Sequence, residues 1–240
     1  MSYRKVSLAP EEYFHVYNRG NSKQKIFLDD KDKDRFVKLL YLCNSTGCVN
    51  FRDDIIKSKI DAFDFERGET LVSIGAWVLM PNHFHLYITS SPKPCLGLKK
   101  DDDDQTPISI FLHKLCTSYV KYFNKKYDRK GSLFEDKFKS VHVENDSQAK
   151  YLFSYIHLNP VNLIRPSWKE KGIEDFEEAL SFLDKYHWSS YHDHRGTLRK
   201  ENKILDLNNF PEYFSNKIDF DSEIISWIYE DKNFPALSKA

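Results

Sequence analysis

The sequence lacks any apolar run near the roughly 18 residues of a membrane span, and its opening, "MSYRKVSLAPEEYF", has no apolar stretch of the kind found in secretory signals. It also lacks net charge: Lys plus Arg and Asp plus Glu both number 36. That balance gives no global support for nucleic-acid binding, so any such surface must come from local segregation of charge. Cysteine is scarce, at positions 43, 48, 95 and 116, and no two form a C-x-x-C pair. A closed zinc site is therefore not expected, and reduced thiols inside a cell are the default. No internal repeat is visible. What is present is a 240-residue chain, 40% hydrophobic and 30% charged, which fits one large globular domain or one domain with an appendage.

Periodicity orders the elements. "EEYFHVYNRG" (11–20) reads as a strand rich in aromatic and β-branched residues. "DDKDKDRFVKLLYLCN" begins acidic and then spaces Phe36, Leu39, Leu40 and Cys43 as a helix does. Ile55, Ile56, Ile60 and Phe63 suggest a short helix. "LVSIGAWVLM" (71–80) and the strand that follows Pro81-Asn82 should pair as a hairpin. Residues 91–105 read as a loop carrying the acidic run 101–104. Thr106-Pro107 caps a long helix whose buried stripe is Ile110, Phe111, Leu115, Tyr119, Tyr122 and Phe123. Residues 132–143 read as a strand of uncertain register, since neither alternate set is cleanly apolar. Asp146-Ser147 should cap a further helix, stopped by Pro160. The order β-α-β-β-α-β followed by a helix predicts an α+β, ferredoxin-like antiparallel sheet with helices on one face.

"LMPNHFHLYITS" (79–90) carries the chemistry. Side chains i and i+2 of a strand share a face, so His83 and His85 project together while Phe84, Leu86 and Ile88 turn to the other side. One helical turn separates Tyr155 from Asn159, which places them on one helix face. Taken singly, each has a bland reading: structural histidine, core aromatic, helix-end asparagine. As a set, two neutral imidazoles, an amide oxygen and a phenol suit Mg²⁺ or Mn²⁺ with open positions. A metal on the phosphate oxygens and a tyrosine nucleophile together suit cleavage of a phosphodiester strand through a covalent phosphotyrosine.

"VLMPNHFHLYI" followed by "YIHLNPV" resembles the single-tyrosine HUH transposases, and among them the REP-associated tyrosine transposases. "FHVYNRGNSKQKIF", "GSLFEDKFKSVHV" and "WSSYHDH" extend the resemblance from about residue 11 to 195. It implies an HUH endonuclease fold over residues 1–165, with 166–240 as a C-terminal helical and loop appendage. It implies Tyr155 as nucleophile, and His83, His85 and Asn159 as ligands of Mg²⁺ or Mn²⁺. The implied activity is cleavage and rejoining of single-stranded hairpin DNA through a 5′-phosphotyrosine. The implied address is the bacterial cytoplasm, at the nucleoid and away from membranes, and the active site is built either within one chain or across a homodimer.

Two stretches are candidates for DNA contact. Lys114, Lys121, Lys125, Lys126, Arg129 and Lys130 make a basic edge on the long helix, with Tyr119, Tyr122 and Tyr127 among them as base-stacking surfaces. The plainer reading is a solvated helix face with a dipole-matched end. Arg19, Lys23 and Lys25 lie in "NRGNSKQK", a loop suited to backbone phosphate. The acidic run 101–104 should point away from the DNA.

Rival readings fit less well. A metallo-β-lactamase-type site wants an acidic residue where Tyr87 stands, and too little chain follows His85 for an amidohydrolase barrel. A domesticated DNA-binding relative has no need of all four site residues. A replication initiator or relaxase shares the histidine pair and the tyrosine but lacks "YIHLNPV".

Overall fold

Four strands form one antiparallel sheet, in a computed structural model that describes residues 7–90, 106–166, 168, 173, 175–212 and 217–229. They are β1 (Tyr13–Arg19), β2 (Ser73–Met80), β3 (His83–Thr89) and β4 (Lys139–Val143), in the order β2-β3-β1-β4. Pro81-Asn82 turns β2 into β3, as expected of the hairpin. The central pair runs from Phe14 opposite Ile88 to Arg19 opposite His83. Helices α1 (Asp30–Leu42) and α2 (Pro107–Lys126) are the two crossovers. Phe14 and Val16 of β1 and Phe84, Leu86 and Ile88 of β3 pack with Phe36, Leu40, Phe111 and Leu115 of these helices in one core. Both crossover helices thus cover one face, which is the ferredoxin-like arrangement predicted.

The other face carries Ala76, Val78, Met80, Tyr87 and Val143, packed against helix α3 (Asp146–Leu158) and residues beyond it. Ile74 and Trp77 both face α1 and α2 although they are three residues apart, because the pairing slips between Ile74 and Ala76. The extra residue is a bulge at Gly75, and it sets the face of everything after it.

Several boundaries differ from expectation. Strand β4 begins at Lys139; residues before it join the sheet through one bridge, Gly20 to Phe134. Leu133 and Phe134 are both buried in the α1/α2 core, which consecutive residues of a regular strand cannot do, and this is why the stretch had no clean alternation. Helix α3 is capped by Asn145, whose Oδ1 accepts from the Gln148 N–H at 3.0 Å, rather than by Asp146-Ser147. Pro160 does not stop the helical path: a 3₁₀ turn, Asn159–Leu163, follows with the proline in its first turn, where a missing N–H is harmless. The short helix expected around Ile55–Phe63 is a π-helical stretch, Phe51–Lys57, and a 3₁₀ turn, Ala62–Asp64.

Beyond α3 the chain adds α4 (Phe176–Lys185), a helical turn at Tyr191–His194 and α5 (Lys217–Tyr229). Trp168, Ile173, Leu183 and Tyr191 are buried in the core on the α3 face. Residues 188–190 run along the outer side of β2, with Leu79 N–H donating to Trp188 O and Ser190 N–H to Trp77 O, each at 2.9 Å. An edge strand is covered in this way. The acidic run 101–104 lies outside the described residues. Among the described residues no helix is long and apolar enough to cross a membrane.

Candidate active site

Alternation along β3 puts Phe84 into the α1/α2 core and turns both histidines to the α3 face. His83 is half-buried and His85 fully buried, with ring centroids 4.8 Å apart. Each ring is held at Nδ1. His83 Nδ1 lies 2.6 Å from Asn82 Oδ1. An amide oxygen only accepts, so Nδ1 carries the hydrogen and Nε2 the lone pair. His85 Nδ1 lies 2.8 Å from Nε2 of His15, a buried residue on the neighbouring strand β1.

Helix α3 brings the phenol. Tyr151, Tyr155 and Asn159 are spaced four apart and so line one side of the helix and its cap. The Tyr155 ring stands edge-on to His85 at 5.4 Å and to His15 at 6.1 Å between centroids. Burial pushes the Tyr155 phenol above its ordinary pKa, while the neighbouring Asn159 amide pulls it back. That pull is the weaker of the two: Asn159 Nδ2 is buried and makes no hydrogen bond of regular geometry among the described residues. Tyr151 lies behind Tyr155, with ring centroids 6.0 Å apart, and burial raises its phenol further.

His83, His85 and Tyr155 thus meet on one face, with Asn159 one helical turn beyond the phenol. Among the described residues no group of three His, Cys, Asp or Glu is arranged to hold a metal. Two imidazoles, with the Asn159 amide one turn beyond the phenol, are by their chemistry a donor set suited to Mn²⁺ or Mg²⁺ with positions left open for an anionic ligand. Sequence reasoning missed His15 and Asn82. The signal for His15 was in "YFHVYNR", where the period of two puts His15 with Tyr13 and Tyr17, opposite Phe14 and Val16. A cavity of about 370 Å³ lies further along the same face, lined by Tyr87, Phe153, His194 and Phe210 among others, and contains none of the four site residues.

The two basic stretches read separately from sequence form one surface at the His83 end of the sheet. Gly20 N–H donates to Asn82 O at 2.8 Å, Asn82 Nδ2 donates to Lys23 O at 3.2 Å, and Asn21 N–H donates to Leu133 O at 2.9 Å. Gly20 is obligatory here, since a Cβ would stand 2.2 Å from Gln24 O. Arg129 reaches Gln24 Oε1 at 3.4 Å and so joins the end of α2 to this loop. Lys23, Lys25 and Lys130 are exposed around it, as are Lys121 and Lys125 along α2. Arg19 is held by Glu135, with Nε at 3.1 Å and Nη2 at 2.8 Å from one carboxylate oxygen.

Other members of the basic edge have different duties. Lys126 Nζ binds Asp29 at 2.8 Å and the fully buried Asp32 at 2.7 Å. The phenols of Tyr122 and Tyr127 also donate to Asp32, at 3.1 and 2.7 Å, and Tyr119 is a fully buried core residue. Tyr122 and Tyr127 therefore tie α2 to the start of α1, and the buried Tyr119 offers no face to a base. Lys114 Nζ caps the carbonyls of Ser45 and Gly47.

No protein-family model matches the sequence, and no curated protein matches it. Among solved structures the chain is similar to a REP-associated tyrosine transposase bound to a REP hairpin, at 16% identity and a TM-score of 0.44, over 89% of this chain and 99% of that one. It is also similar to the tRNA(His) guanylyltransferase of Saccharomyces cerevisiae, at 17% identity and a TM-score of 0.35, over 88% and 86% of the two chains. Both likenesses are loose, and the side chains of this protein carry its functional reading.

Proposed function

We propose that this chain is a metal-dependent DNA strand transferase of the HUH transposase type, cutting single-stranded DNA beside a hairpin and holding the cut end as a 5′-phosphotyrosine on Tyr155. The observation that carries the reading is the Tyr155 ring edge-on to His85, whose neighbour is His83, with both histidines held at Nδ1. His83 and His85 would bind Mg²⁺ or Mn²⁺ through Nε2, and Asn159 through its amide oxygen. When bound, such an ion supplies polarisation of the scissile phosphate and stabilises the charge that builds during transfer.

The remaining steps belong to the chain. Burial holds Tyr155 as the neutral phenol. Its oxygen attacks phosphorus as its proton leaves to solvent. The P–O3′ bond breaks, and the departing oxygen takes a proton to become a free 3′-hydroxyl. A phosphodiester has become a phosphotyrosine, so a second 3′-hydroxyl can reverse the step and rejoin DNA without ATP. Helix α3 holds the phenol on a rigid support, which makes the geometry reproducible from one turnover to the next. Lys23, Lys25, Arg129 and Lys130 border the His83 end and suit the backbone of the DNA entering there.

The test is a denaturing gel with 3′-end-labelled single-stranded DNA bearing a hairpin, with Mg²⁺ or Mn²⁺. A 5′-phosphotyrosine leaves the labelled fragment attached to protein, and a chelator should abolish that band. Tight binding of hairpin DNA with no protein-linked band under either metal would replace this reading with a DNA-binding protein.

A further inference from the structure

His15 is 2% exposed, sits on the central strand β1, and lies edge to edge with His85, with ring centroids 5.0 Å apart and planes at 24°. We infer that His15 is a positioning residue, which accepts the Nδ1 proton of His85 and so holds that ring in the tautomer whose Nε2 lone pair is offered to a divalent cation. The inference rests on the functional reading above and adds a residue to it.

The 2.8 Å contact between His15 Nε2 and His85 Nδ1 needs one hydrogen. Two neutral rings can supply it in two ways. If His85 donates, its Nε2 keeps the lone pair; if His15 donates, His85 carries its hydrogen on Nε2 and cannot be a ligand there. His83 shows which arrangement matches the pair: its Nδ1 faces the acceptor-only Asn82 Oδ1, so its lone pair is on Nε2. Only donation by His85 gives both members of the pair the same ligating nitrogen. Asn82 and His15 then do the same task for adjacent ligands, one from the turn before β3 and one from the strand beside it.

The choice of an imidazole for this task has a physical reason. The usual orienting partner of a ligating histidine is a carboxylate or a carbonyl. A carboxylate at position 15 would bury a negative charge beside a site that must admit a phosphodiester, whereas a neutral ring accepts the hydrogen bond and adds no charge.

The test uses the full chain at pH 8, with ¹⁵N-labelled histidine and Mn²⁺ as the probe. Long-range ¹H–¹⁵N correlation of the metal-free protein reports which nitrogen of His85 is protonated, and electron paramagnetic resonance of unbound Mn²⁺ gives the affinity. The expected result is His85 protonated at Nδ1. His15→Phe, which keeps a ring and loses the acceptor, should weaken Mn²⁺ binding about 10–100-fold. His15→Gln, which restores an acceptor oxygen, should recover most of that loss, an outcome that a packing role does not give. A wild-type His85 protonated at Nε2 overturns the inference. So does unchanged Mn²⁺ affinity in His15→Phe, which leaves the functional reading in place. Failure of the wild-type protein to bind Mn²⁺ overturns the functional reading and the role of His15 with it. If His15→Phe does not fold, as judged by circular dichroism, the wild-type tautomer and the His15→Gln affinity still decide.

Discussion

The ring of Tyr155 meets that of His85 edge-on, with centroids 5.4 Å apart and planes at 83°. One residue comes from a helix and the other from the strand it crosses, so the contact depends on how α3 seats on the sheet. Val143 of β4 and Ala76 and Val78 of β2 supply that seat, packed with Leu152 and Ile156 of α3. The proposed nucleophile is therefore only as well aimed as its helix is docked.

Tyr155→Phe removes one oxygen and keeps the ring against His85 and His15. Stability should change by less than about 1.5 kcal/mol, the range of a single hydrogen bond. Hairpin DNA should still bind, and the protein-linked band on a denaturing gel should vanish. Persistence of the band would mean another tyrosine attacks, and Tyr151, whose ring lies 6.0 Å away, is the first to substitute.

The basic rim predicts a salt effect. Lys23, Lys25 and Lys130 are exposed around the loop that adjoins His83. Replacing all three with Ala should lower DNA affinity and flatten the plot of log affinity against log salt by about 0.7 for each phosphate no longer neutralised. Lys121→Ala, on the helix itself, serves as the comparison. Should the Lys121 variant flatten the slope while the triple variant does not, the DNA path runs along α2 instead.

The parts of the site that follow local periodicity were legible in the sequence, and those that depend on pairing register were not. The period of two puts His83 and His85 on one face whatever the fold, and the helical repeat does the same for Tyr155 and Asn159. The contact of His15 with His85 needs the pairing of β1 with β3, which sets Tyr17 opposite His85 and leaves His15 one pleat along. No local pattern encodes that register. Lys126 fails for a similar reason. Its position among lysines reads as a solvated face, and only the crossing of α2 over the start of α1 brings Asp29 and Asp32 to it.

That crossing yields a stability prediction. Asp32 accepts from Lys126 Nζ, the Tyr122 and Tyr127 phenols and the Leu28 N–H, and its side chain is fully buried. Asp32→Ala leaves both phenols and the Leu28 N–H without that acceptor, while the partly exposed Lys126 also has Asp29, so the loss should be about 1–3 kcal/mol, the cost of leaving buried donors unsatisfied. Urea denaturation measures it. A loss below about 1 kcal/mol would mean that Asp29 alone satisfies Lys126 and that the phenols find water.

Acid should destabilise the protein through buried histidines on the α3 face. His194 donates from Nε2 to Gly75 O at 2.9 Å and is held down to a pKa of about 4, chiefly by burial. His157, with its ring centroid 5.0 Å from that of His194, is also pushed well below its ordinary value by burial. The unfolded chain takes up these protons near pH 6.5, and the folded chain resists them. Between pH 6.5 and 4 the unfolded state therefore binds more protons, so stability is full above this window and is lost as pH falls through it. At pH 5 His194 alone should account for about 2 kcal/mol of the loss. His194→Phe keeps the stacking on Phe220, where centroids are 5.6 Å apart, and gives up the hydrogen bond to Gly75. The variant should be less stable than the parent at pH 7 by about 1 kcal/mol, yet lose less between pH 7 and pH 5. Thermal melts at the two pH values measure both effects. An equal loss in parent and variant would move the acid sensitivity from His194 to His157.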